Sequence, residues 1–215
     1  MVNFLLLIED IVKFSKREID QGKYLPQIYQ LCSCIRETFC LSYNIRKSNN
    51  LYLYILKEHI FIKFEGKTLR YLSSDGRSQA LLLLKALDKA GGDLELLDKD
   101  WVKSTPGIFV KCFPKDVLFL QYLESILHGD IFLISDNDTG KNEKVNILFL
   151  NLEILKDLNG IFIIFPIFPI SSHNTQLINL IKNLNKVRNI SVPNTIKVED
   201  QILLINYRID QLKMD

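Results

Sequence analysis

Two apolar runs, LYLYIL at residues 51–56 and IFIKF at 60–64, are rich in Tyr, Ile and Phe and read as neighbouring β-strands. A different period precedes them. Ile28, Leu31, Cys32, Ile35 and Phe39 recur at i, i+3, i+4, i+7 and i+11 behind Pro26, which predicts a helix over 26–43 with a core-facing stripe. A polar turn, Ser73-Ser74-Asp75-Gly76, follows the second strand, and Ala80, Leu83, Leu84 and Leu87 then return to helical spacing. Further strands are expected at 3–8, 107–112, 131–134, 160–165 and 189–192. Further helices are expected at 115–127, 174–186 and 199–212, the last with a stripe of Ile202, Ile205, Ile209 and Leu212. Strands alternating with helices argue an α/β domain with a largely parallel sheet and helices on both faces. Residues 1–215 are read as a single domain.

Composition changes this picture only at the margins. The 215 residues are 47% hydrophobic and 24% charged, as expected of a globular domain able to bury a sizeable core. Lys and Arg number 27 against 25 Asp and Glu, so any nucleic-acid surface has to be local. Cys32, Cys34, Cys40 and Cys112 lack CxxC spacing and read as core thiols in a reducing compartment. With His59, His128 and His173 scattered, no metal site is expected. The apolar start is broken by Glu9 and Asp10, and the longest apolar run, 161–170, holds two prolines and is half a membrane span. A cytoplasmic location without membrane contact is expected.

Several local features attract a functional reading and have a structural one. Lys13, Lys16, Arg17 and Lys23 form either a solvated loop or a phosphate-contacting rim. Trp101 is read as packing at a loop edge rather than as a base-stacking platform. The loop DNDTGK at 136–141 lacks the glycine and hydroxyl spacing of a phosphate loop and the glycine and closing Glu of a calcium loop, so it reads as surface. Asp75, Arg77 and Ser78 lie where a strand hands over to a helix. Such a junction caps the helix or receives an anion on free backbone N–H groups, and both readings stand.

The string RYLSSDGRSQALLLLKAL, residues 70–87, closely resembles the "RYL-s-DERS-A-LL-KAL" signature of the archaeal tRNA (pseudouridine-54-N1)-methyltransferases, the TrmY family. The similarity extends upstream through FCLSYNIRKSNNLYLYI at 39–55 and downstream to STPGIFV at 104–110, where the family has a "PGIYV" strand. The resemblance implies a SPOUT fold with a C-terminal trefoil knot in about 160–215. It also implies S-adenosylmethionine as cofactor, tRNA as substrate and a homodimer with substrate bound across the interface. It makes Asp75 and Arg77 the catalytic candidates, with Ser78, Arg70 and Arg46 as substrate contacts.

By position, the family's three cofactor loops fall on Phe165, Pro166 and Ile167, on Ser191, Val192 and Pro193, and on the segment of Gln201 and Ile202 that leads to Asn206 and Asp210. The glycines that let a cofactor approach bare backbone are absent from the first loop, and Pro166 and Pro169 remove two N–H donors. Two readings therefore carry forward: a methyltransferase acting on N1 of a pseudouridine in the tRNA T-loop, and a non-catalytic RNA-binding or dimerising paralogue of the same fold.

Overall fold

A computed structural model of the protein describes residues 1–91, 100–126, 131–135, 145–146, 161–164, 172–184, 187–191 and 196–212. Strand β1 (Val2–Ile8) leads through a short helix α1 (Lys16–Asp20) to helix α2 (Pro26–Phe39). A hairpin of β2 (Asn49–Ile55) and β3 (Ile60–Glu65) follows, then helix α3 (Gly76–Gly91) and a second hairpin of β4 (Val102–Thr105) and β5 (Ile108–Cys112). Helix α4 (Asp116–Ile126), β6 (Ile131–Ser135), β7 (Val145–Asn146) and β8 (Ile161–Ile164) come next. Helix α5 (Ser172–Lys182), β9 (Val187–Ser191) and helix α6 (Val198–Leu212) complete the described elements.

Among the described residues the strands form one sheet in the order β4-β5-β3-β2-β1-β8-β6-β9-β7. The half from β2 through β1, β8, β6 and β9 to β7 is parallel, whereas β2-β3, β3-β5 and β4-β5 pair antiparallel. The sheet is thus mixed, and less parallel than the alternation of elements suggests, because two hairpins supply one edge. β4 was not expected, since VKST is short and carries no apolar alternation. The segment 10–23, expected as loop, contains α1, which Ser15 and Glu18 close as a capping box. The expected surface loop 136–141 lies outside the described residues.

Period two along the strands divides the interior into two cores. Phe4, Leu6 and Ile8 of β1, with Leu51, Leu53 and Ile55 of β2, face one layer formed by α2, α3 and α6. Leu5, Leu7, Tyr52 and Tyr54 face the other, where Phe119 and Leu123 of α4 and Leu177 and Ile181 of α5 pack. Central strands buried on both faces explain why the LYLYIL run is apolar at every position. Tyr54 stacks on Phe119 with ring centroids 3.7 Å apart and donates to Asp116 Oδ1 at 2.6 Å; burial and that carboxylate push its hydroxyl pKa far up. Trp101 is packing, as expected: its Nε1 donates to the Tyr122 hydroxyl at 2.7 Å and its ring lies 5.2 Å from Phe61. All four cysteines are free, three of them buried, and burial raises the Cys32 thiol pKa to about 12.

The final helix returns to the first part of the chain. Ile202, Ile205 and Ile209 of α6 bury against α2 and the β1–β2 face, and they flank polar contacts that fix the register. Asn49 Nδ2 donates to Asn206 Oδ1 at 2.9 Å and to Thr38 O at 2.9 Å, and Asn206 Nδ2 donates to Glu37 O at 2.8 Å. Arg46 closes the far end with its Nη1 2.6 Å from Asp210 Oδ2 and 2.8 Å from Asp210 Oδ1. Replacing Asn206 by Leu strips the partner from a buried carbonyl and a buried amide, so a loss of about 1–3 kcal/mol is expected. A lowered urea midpoint at unchanged m-value checks it.

Candidate functional site

Helix α3 begins where the chain turns in from β3, and its first turn needs acceptors for its free N–H groups. Asp75 supplies one: its Oδ1 accepts the Ser78 N–H at 2.9 Å, which makes Asp75 the N-cap. Ser73 donates its hydroxyl to Asp75 Oδ2, and Ser73 Oγ lies 2.8 Å from Ser78 Oγ. The Ser73 N–H donates to Ser78 Oγ at 3.1 Å, and the buried Gln79 Nε2 donates to Ser73 O at 3.1 Å. The Ser73 hydroxyl, followed by the Ser78 N–H, holds the Asp75 carboxyl below the ordinary carboxylate range, so it is ionised at neutral pH. Each of its oxygens has a lone pair to spare, so the cap does not exhaust it as an acceptor.

Arg77 is held by a different carboxylate, with the Asp75 charge acting on it more weakly. Its Nε and Nη2 both reach Asp20 Oδ1, at 3.1 and 2.8 Å, and Lys16 takes the other oxygen of Asp20 at 2.5 Å. Lys16, then Arg77, lower the Asp20 pKa. Ser73 and Asp20 were not among the expected site residues. Ser73 was legible in the SSDG turn, whereas Asp20 lies 57 residues from its partner and no local pattern announces it.

The segment 66–75 before α3 is held by two close backbone approaches. A Cβ on Gly66 would stand 2.4 Å from Asn49 O and 2.5 Å from Arg46 O. A Cβ on Gly107, at φ +81°, would stand 2.2 Å from Leu69 Cα. An open cleft of about 390 Å³ lies between residues 40–45 and 69–74, with Ser73 and Ser74 at one end. Arg70 is exposed beside it, while Arg46 is engaged by Asp210 as described above.

These residues gather near the edge where the parallel strands begin. Gly66 N–H donates to Asn49 O at 3.0 Å, Asn49 pairs with Val2, and Cys40 at the end of α2 reaches Ser73 O at 3.7 Å. The cofactor candidates belong to the opposite edge. Ile164 is the last residue of β8, Ser191 is the last of β9, and the registers Ile134 to Ile164 and Ser135 to Ser191 set those ends side by side. Gln201 lies in the first turns of α6, where its Nε2 donates to Ile196 O at 3.0 Å, and Ile202 is wholly buried in the core. Phe165, Pro166, Ile167, Val192 and Pro193 lie outside the described residues. Among the described residues no cluster of three metal-ligating side chains occurs, and no helix is long and apolar enough to cross a membrane.

The profile of a family described as "Putative SAM-dependent RNA methyltransferase" matches residues 26–214, nearly the whole chain. The chain belongs to this family. Among similar proteins, the tRNA (pseudouridine(54)-N(1))-methyltransferase of Methanococcoides burtonii is 28% identical over 187 residues, covering 84% of this chain and 81% of the relative. The protein of the same name from Methanocaldococcus jannaschii is 33% identical over 146 residues, covering 66% and 62%. That from Methanosarcina acetivorans is 28% identical over 174 residues, covering 71% and 75%. The matched span of the family includes both the Asp75 junction and the edge formed by β8, β9 and α6.

The capping role predicts how this junction responds to substitution. Asp75→Ala should cost about 1 kcal/mol, while Asp75→Asn, an equally good cap, should stay close to the parent in thermal melts near neutral pH. Because the folded pKa of Asp75 is lowered, its ionisation stabilises the fold above the unfolded value of about 3.9, and this is lost as pH falls through the folded value. Any advantage of the parent over Asp75→Asn should therefore vanish in melts at acidic pH.

Proposed function

We propose that the protein is an S-adenosylmethionine-dependent methyltransferase that acts on N1 of a pseudouridine in the T-loop of tRNA. Membership of an RNA methyltransferase family over residues 26–214 carries this reading, and relatives named for that reaction supply the target. The fold assigned is the SPOUT type with a C-terminal trefoil knot in about 160–215. The return of α6 from beyond β9 across the sheet to α2 supports a threaded C-terminal segment.

Ligands of parallel α/β sheets bind beyond the carboxyl ends of the strands, and the adjacent ends of β8, β6 and β9 followed by α6 fit a cofactor there. Main chain around Phe165, Pro166, Ile167, Ser191, Val192 and Pro193 would hold it. Gln201 and Ile202 would fix the start of α6 beside it. S-adenosylmethionine supplies a sulfonium-activated methyl group, so the protein's task is placement of the acceptor and management of one proton. N1 must lose its hydrogen as the new bond to carbon forms, and that proton passes to water. Asp75, ionised and anchored by Ser73 and Ser78, accepts a hydrogen bond from N1–H and orients that nitrogen. Its lowered basicity suits orientation rather than full deprotonation. Arg77, exposed and shared with Asp20, and Arg70 and Ser78 contact phosphate or uracil oxygens.

Asp75 and the cofactor candidates belong to opposite ends of parallel strands, and seven-residue β1 alone spans roughly 20 Å. A site completed across a homodimer, with the junction of one protomer facing the cofactor of its partner, resolves that separation. Soluble tRNA-modifying work of this kind belongs in the cytoplasm.

The test combines calorimetric titration with S-adenosylmethionine and transfer of labelled methyl to T-arm RNA containing pseudouridine. The parent should bind and transfer, and Asp75→Asn should bind equally well but turn over at least about tenfold more slowly. Unchanged turnover in Asp75→Asn removes Asp75 from the reaction. Absence of cofactor binding by the folded parent overturns the enzymatic reading itself.

A further inference from the structure

On the other side of residues 69–71 from the cleft beside Ser73 lies a second and larger one, of about 710 Å³. Four of its lining residues are cations: Lys47 before β2, Lys67 after β3, Arg70, and Lys103 on β4. Among the described residues no Asp or Glu lines it, and no carboxylate pairs with Lys47, Arg70 or Lys103. Glu65, the nearest acid in sequence to Lys67, accepts from Lys63 at 2.6 Å and from Thr68 at 2.6 Å, and the Lys67 charge acts on it only as the weakest of these influences. Phe109 forms part of the floor. A chain of net charge +2 thus concentrates four positive charges in one groove.

Between the two clefts stands Tyr71. Its side chain is 77% exposed and its backbone is left-handed at φ +64°, a conformation that a bulky residue adopts only when its surroundings impose it. The surroundings do impose it. Leu69 on one side is buried and Leu72 on the other packs against the core. Arg70 N–H donates to Pro106 O at 3.3 Å, and Gly107 presses on the Leu69 backbone. The exposed ring thus stands on an anchored ridge beside cations, of which Lys47, Arg70 and Lys103 have no carboxylate partner among the described residues.

Resting on the assignment of RNA as substrate, we propose that this ridge and groove form the RNA-docking surface. Lys47, Lys67, Arg70 and Lys103 take backbone phosphates, and Tyr71 stacks on an unpaired base next to the nucleotide delivered to Asp75. The chemistry recognised is a single-stranded loop with a continuous phosphate backbone. The ridge runs from Tyr71 directly through Ser73 to the Asp75 cap, so a strand crossing it arrives at that junction.

The test is fluorescence anisotropy of the full-length protein with a labelled T-arm stem-loop, without cofactor, and with 2-aminopurine in the loop as a stacking reporter. Tyr71→Ala should weaken binding about tenfold and abolish the 2-aminopurine quenching, while Tyr71→Phe should keep both. Tyr71→Gly separates structure from binding: glycine suits φ +64°, so its melting temperature should match or exceed the parent's although its affinity falls as in Tyr71→Ala. The double variant Lys47→Ala/Lys103→Ala should lower the salt slope of log K by about 1.5. Parent-like affinity and quenching in both Tyr71→Ala and Tyr71→Gly, or an unchanged salt slope in the double variant, overturns the proposal. Because binding is read without methyl transfer, an inactive parent overturns the enzymatic assignment and leaves this test intact. Normal transfer with unaffected groove variants removes the docking surface alone.

Discussion

The hydrogen bond between Asn49 and Asn206, and the carbonyls of Thr38 and Glu37 that complete it, is the constraint on which the arrangement of this chain depends. Both asparagines are almost fully buried, and a buried amide without partners costs more than the bond it makes returns. Apolar packing of Ile202, Ile205 and Ile209 would tolerate a slide of α6 along α2, because neighbouring turns offer similar contacts. The asparagine network does not tolerate it: a shift of one turn leaves Asn206, Glu37 O and one N–H of Asn49 unsatisfied together. Arg46 and Asp210 add an ion pair one turn further on, partly shielded on the arginine side. Polar contacts thus set the register while apolar burial supplies most of the driving force.

The same corner positions the candidate site. Asn49 and Arg46, which hold α6, also present the carbonyl oxygens against which Gly66 closes, and the segment leaving Gly66 becomes the ridge and then the Asp75 cap. Gly107 clamps that segment from the second hairpin. A short β4–β5 hairpin with little core of its own therefore has a use in the site, since its turn supports the backbone of Leu69 and Arg70. Rigid support of a few exposed side chains by neighbouring backbone is what keeps a loop-borne site in place.

What could be read in the sequence followed from periodicity. The α2 stripe, the β2 and β3 runs and the α6 stripe all form, within a few residues of their expected bounds, because each has a strong apolar period or run. Helix α2 stops at Phe39 rather than at 43, where Cys40 turns to extended backbone and bridges to Ile45. Its apolar stripe had already ended at Phe39, so periodicity left that boundary open. The capping box of α1, Ser15 with Glu18 three residues on, stands in the sequence within a segment read for its Lys and Arg alone. Arg77 illustrates the limit for the site. Its place beside Asp75 in the signature joins the two, yet its guanidinium is held by Asp20 from a separate helix, a contact of long sequence separation with no local signature.

Charge gives the sharpest contrast between chain and surface. A balance of 27 cations to 25 anions says nothing of nucleic acid, because ion pairs such as Lys16 with Asp20, Lys57 with Asp10 and Lys63 with Glu65 consume both signs elsewhere. Lys47, Arg70 and Lys103, which pair with no carboxylate among the described residues, come from separate segments, and the pairing of β5 beside β3 brings the β4 edge with Lys103 to the groove that they line. The turn between β4 and β5 also supports the ridge that carries Tyr71, through Pro106 O and the close approach of Gly107 to Leu69. Electrostatic attraction and the aromatic ridge therefore come from how the two hairpins pair side by side rather than from composition.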